Sequence, residues 1–74
     1  MKFRVTNHSK QVSVDVQADN ARQAVLNVLA LTGSTRKIVE EKVVGKVGEK
    51  PFRWYITIQN GWMLEVETSI LNVV

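Results

Sequence analysis

Two runs of large apolar residues meet at a tight turn late in the chain, and they leave few ways to fold it. Phe52, Trp54, Ile56 and Ile58 alternate with Arg53, Tyr55 and Thr57, and Trp62, Leu64 and Val66 recur at the same spacing. Alternation at period two marks strands that bury one face. Between the runs stands Asn60-Gly61. A two-residue loop would pair Gln59 with Trp62 and Ile58 with Met63, throwing the two apolar rows onto opposite faces. A three-residue loop, Gln59-Asn60-Gly61, with Gly61 left-handed in a bulge, pairs Ile58 with Trp62, Ile56 with Leu64 and Trp54 with Val66. The bulged turn is therefore expected, with both tryptophans in the core.

The same test reaches back one strand. Arg36 to Val47 is rich in β-branched residues, and Gly48-Glu49-Lys50-Pro51 reads as a turn. A four-residue loop there places Val47 opposite Phe52, Gly45 opposite Trp54 and Val43 opposite Ile56. The odd positions of this strand then face the core, with Glu41 as the misfit. On the other face Lys46 falls opposite Arg53, Lys42 opposite Thr57 and Val44 opposite Tyr55.

The first half of the chain carries two more alternations. Phe3 and Val5 lie on one face of Lys2 to Thr6, and Val12, Val14 and Val16 on one face of Gln11 to Gln17. A loop over Asn7 to Lys10 pairs Val5 with Val12 and Phe3 with Val14, so the apolar faces coincide. A helix follows over about residues 20–32: Asp19 or Asn20 caps it, and Ala21, Ala24, Val25, Val28 and Leu29 recur at helical spacing. Gly33 supplies its left-handed stop.

These elements make one α+β domain over residues 1–74, ββαβββ, with one helix packed on a mainly antiparallel five-stranded sheet. Strand order 2-1-3-4-5 is preferred and 2-1-5-4-3 is the alternative. A chain of 74 residues buries a modest core and gains from self-association.

Composition removes several kinds of chemistry. The chain has no cysteine, which excludes disulfides, thiolate metal sites and cysteine nucleophiles and fits a reducing cytoplasm. Met1 to Val16 alternates where a signal peptide would be apolar, and Ala24 to Leu31 is too short to span a bilayer. His8, the sole histidine, falls in a turn far from Asp15, so no nucleophile–base pair is expected. Glu40 and Glu41 point to opposite faces of a strand. Glu65 and Glu67 share a face, with Tyr55 and Arg53 opposite them, as ordinary cross-strand pairs. No phosphate-binding loop is present, since Gly45-Lys46-Val47-Gly48 is too short and no helix follows. The expectation is a protein that is not an enzyme, with no cofactor, metal, small-molecule substrate or membrane.

Two binding readings follow. The apolar end of the chain, Ile70, Leu71, Val73 and Val74, is a candidate oligomer contact. It supports a small cytoplasmic module that binds a protein partner or itself, and an accessory protein of a bacterium or phage fits that description. The alternative is a nucleic-acid-binding module. The net charge is +3, and Lys2, Arg4, Arg36, Lys42, Lys46, Lys50 and Arg53, with Tyr55 to stack, form one basic sheet face if the first strand neighbours the third.

The strand ending in Val16-Gln17-Ala18, the acidic cap and Ala24 in a short helix resemble the archaeal ribosomal LX-type proteins and small phage proteins that inhibit host machinery. The likeness covers about residues 3–34 and carries no functional residue with it. The meander that follows departs from the first group.

Overall fold

A computed structural model describes residues 1–59 and 61–68. The elements are β1 (Lys2–Asn7), β2 (Val12–Gln17), α1 (Ala21–Leu31), β3 (Ile38–Val47), β4 (Lys50–Ile58) and β5 (Met63–Thr68). They form one helix on a five-stranded antiparallel sheet of order β2-β1-β5-β4-β3. The α+β class and the ββαβββ succession stand as expected. The preferred order 2-1-3-4-5 does not, and the alternative 2-1-5-4-3 is the one adopted. In the adopted order Val5 lies beside Val66 and Val66 beside Trp54, so the apolar rows of β1, β5 and β4 join under the helix. On the other face Arg4, Glu67 and Arg53 alternate in sign across the same strands, which opposite charges favour over the lysines of β3.

The helix begins where Asn20 Oδ1 accepts the Gln23 N–H at 2.8 Å. It ends in a Schellman arrangement. The Ser34 N–H bonds the Leu29 carbonyl, the Gly33 N–H bonds the Ala30 carbonyl, and Gly33 has φ +73°. Ala21 and Ala24 are small enough to let α1 lie close to the sheet. With Val25 and Leu29 they meet Phe3, Val5, Trp54, Ile56, Ile58, Leu64 and Val66 in one core. Ile56 and Val25 are fully enclosed, each contributing about 1.5–3 kcal/mol. Phe3 and Trp54 meet edge to face, centroids 5.9 Å apart.

The last hairpin adopts the bulged register. Ile56 faces Leu64, Trp54 faces Val66, the Ile58 N–H bonds the Trp62 carbonyl, and Gly61 has φ +86°. Other expected pairings slip. The first turn occupies residues 8–11 rather than 7–10, so Val5 faces Val14 and Phe3 faces Val16. Asn7 Oδ1 accepts the Lys10 N–H, and Gln11 takes φ +54°, completing that turn. The slip is two residues, so every side chain keeps its face.

The loop after β3 has two residues, Gly48-Glu49, not four, and Val47 faces Lys50. Gly48, at φ +61°, gives the short turn its left-handed first position. Pro51 lies within β4, opposite Lys46, on a stretch paired with β3 but, among the described residues, not with β5. A proline is tolerated where a strand has one neighbour.

The register of β3 slips between Ile38 and Glu40 and again on either side of Gly45. Gly45 therefore faces Arg53 and not Trp54, Val43 faces Trp54, Lys42 faces Tyr55, and Val39 and Val44 have no residue directly opposite. Core assignments change as well. Phe52 is half-buried outside the core cluster, and Trp62 is 38% exposed.

Candidate functional site

The helix packs on β1, β2, β5 and β4, and β3 lies past its reach at the sheet edge. Only Ile38, the first residue of β3, packs against the core. The odd positions were expected to face that core. Instead Val39, Val43 and Val47 are 62%, 40% and 51% exposed, and Val44 is exposed too. Among the described residues β3 pairs with β4 alone along its 10 residues. Its other side presents backbone N–H and C=O groups in a row, the chemistry by which one strand adds to another. β3 and the first residues of β4 form a two-stranded arm carrying Val44, Val47, Lys46 and Lys50. Charge is divided along the strand, with Glu40 and Glu41 in its first half and Lys42 and Lys46 further on.

The basic residues singled out in the sequence do not join. The face was to form where β1 met β3, but β5 stands beside β1 and brings Glu65 and Glu67 into its middle. Arg4 Nε donates to Asp15 Oδ1 at 3.0 Å, and Arg53 Nη2 donates to Glu67 Oε2 at 3.2 Å. That hydrogen bond from Arg4 holds the Asp15 carboxyl below its ordinary range, and Asp15 in turn raises Arg4. Tyr55 lies between Glu65 and Lys42. The expected cation pair of Lys46 and Arg53 is absent, because Lys46 faces Pro51. Lys2 lies opposite Gln17 at the far side of the sheet, and Arg36 precedes β3. Lys42, Lys46 and Lys50 are the exposed cations that do share the β3–β4 hairpin. The oligomer candidates Ile70, Leu71, Val73 and Val74 lie outside the described residues.

Sequence reasoning missed one cluster. His8 Nε2 donates to Glu65 Oε1 at 2.8 Å, and Glu65 Oε2 stands 3.6 Å from Arg53 Nε. The signal was Asn7, whose side chain closes the turn one residue later than expected and carries His8 toward β5. Among the described residues no group of three His, Cys, Asp or Glu side chains is arranged to hold a metal ion, and no helix is long and apolar enough to cross a membrane.

Compared with protein-family models, curated proteins and solved structures, the chain finds no match. The resemblance over residues 3–34 stays one of pattern.

Proposed function

We propose that this chain is a non-enzymatic, cytoplasmic interaction module that works by adding a strand to the free edge of β3, and that its partner is a second copy of itself. The observation that carries this reading is the exposed edge of β3, with Val39, Val43, Val44 and Val47 in water. A long edge of this kind is a liability unless something pairs with it.

The order of charges supports a second copy. Two β3 strands laid antiparallel about Val43 bring Glu40 alongside Lys46 and Val39 alongside Val47. The acidic half of each strand then runs along the basic half of the other, as a closed two-fold contact requires. The register shifts at Val39 and Val44 break the regularity of the edge and oppose open-ended stacking.

Sedimentation equilibrium tests the proposal. Wild type is expected to dimerise, Glu40→Lys to weaken the dimer by placing cations together, and the double variant Glu40→Lys/Lys46→Glu to restore it. A wild-type monomer at every concentration rejects the self-pairing.

The alternative reading, nucleic-acid binding, draws its support from Lys42, Lys46 and Lys50 on one hairpin with Tyr55 beside them. Titration with labelled DNA and RNA at two salt concentrations separates the readings, since phosphate contacts weaken as salt rises. An absence of salt-dependent binding at micromolar protein rejects this alternative.

A further inference from the structure

A second feature lies on the helix side of the sheet. The last turns of α1 stop short of the strand ends, leaving a pocket of about 310 Å³. Its walls are Val5, Val12, Val14, Leu29, Ile58 and Leu64, with Val28 beside them and Trp62 at the edge. This is the lower end of the volume range of small-molecule sites, which are apolar clefts with a few polar groups at fixed positions.

Three polar residues complete the lining: Asn7, Lys10 and Thr32. The Thr32 hydroxyl already donates to the Leu29 carbonyl, and Asn7 Oδ1 already accepts the Lys10 N–H. Neither bond uses the Lys10 ammonium or the Asn7 amide N–H groups, so the polar part of the lining offers donor chemistry. Lys10 Nζ stands 4.6 Å from the centroid of the Trp62 ring, so it is held at the pocket edge. No carboxylate lines the pocket. An apolar cavity with a cation at its rim and no acid in its wall suits a molecule with one greasy end and one negative end.

We propose that this pocket binds a small apolar monocarboxylate, with its hydrocarbon or aryl body between Val28, Leu29 and Ile58 and its carboxylate at Lys10. A volume at the lower end of the range of small-molecule sites suits a medium-chain acid better than a long one. The site is independent of the β3 edge.

Octanoate is the probe. It is titrated into the wild-type protein while the methyl resonances of Val12, Val28 and Leu29 and the fluorescence of Trp62 are followed. Saturable shifts at those methyls and at Trp62 are expected, with β3 resonances unmoved. Octylamine, of the same length and opposite charge, is expected not to saturate the site. Lys10→Gln, in an exposed turn, is expected to weaken octanoate by about tenfold, the worth of one charge-assisted contact. Val28→Phe is expected to fill the pocket and abolish binding. Equal affinity of Lys10→Gln and wild type, equal binding of octylamine, or no methyl shift at millimolar octanoate overturns the proposal. Because Lys10→Gln leaves the pocket walls intact, the test stands even where Val28→Phe perturbs folding.

Discussion

Gly45 lies under the ring of Phe52: a Cβ on Gly45 would stand 2.9 Å from Phe52 Cζ and 3.2 Å from Arg53 Cβ. The requirement for glycine is one of space. Gly45→Ala is expected to cost about 1 kcal/mol or more by forcing the ring aside. Denaturant unfolding of Gly45→Ala, Phe52→Ala and the double variant forms a cycle. A coupling energy of about 0.5 kcal/mol or more, with the double variant milder than additivity predicts, is the expected result.

Gly61 carries the register of the last hairpin. Its φ of +86° is one that an L side chain adopts only with strain. Gly61→Ala is expected to lower stability by about 1–2 kcal/mol, read from the shift in urea midpoint at unchanged slope. A neutral effect would show that the turn had relaxed into another form.

The two glutamates of β5 are unequal. Glu67 pairs with Arg53 where both side chains are substantially exposed, whereas Glu65 is the more buried and meets both His8 and the enclosed Arg53 Nε. Arg53 Nε has no hydrogen-bond partner among the described residues even with Glu65 in place, so Glu65 acts on it and on His8 as an ion-pair partner. Glu65→Ala is expected to destabilise by about 1 kcal/mol and Glu67→Ala by less, measured by thermal and urea unfolding.

The Arg4–Asp15 pair sets an acid dependence. Arg4 depresses the folded-state value of the Asp15 carboxyl. Its stabilisation is therefore complete above the unfolded value of about 3.9 and is lost as pH falls through the lower folded value. Wild type is expected to lose more stability than Asp15→Asn between neutral pH and pH of about 3, measured by urea unfolding at each pH. Parallel pH profiles for the two proteins would contradict the pairing.

Coverage by the helix separates two kinds of valine and isoleucine. Ile56→Ala, at a site closed to solvent, is expected to cost about 2–5 kcal/mol, whereas Val47→Ala, on the arm, is expected to stay within about 0.5 kcal/mol in dilute solution. Raising the protein concentration should increase the cost of Val47→Ala if β3 pairs with a second copy.

What the residues revealed in advance follows from how many neighbours each one had. The register of the last hairpin was legible because apolar rows on both sides would otherwise part company. The helix was legible from its cap, its spacing and Gly33. The order of the strands was not, because both orders satisfy every hairpin, and the choice rests on a long-range match of Val5 to Val66 and of Arg4 to Glu67. Trp62 was misplaced for a related reason: strand parity gave its face, but the point where α1 stops gave its exposure. Phe52 and Gly45 were misplaced because shifts inside β3 and β4 have no marker when valines and lysines fill the strand. The basic face failed with the strand order, and the contact of His8 with Glu65 depended on a turn read one residue early.

The placement of β5 between β1 and β4 has a consequence for how the chain acquires its structure. The centre of the sheet is closed by the first and last of the described strands, so the pairing of Val5 with Val66 joins residues far apart in the sequence. On a ribosome, the hairpin of β1 and β2 and the helix emerge before β5, the strand that pairs with β1. High contact order of this kind slows folding, and the last of the described strands is the one that closes the centre of the sheet.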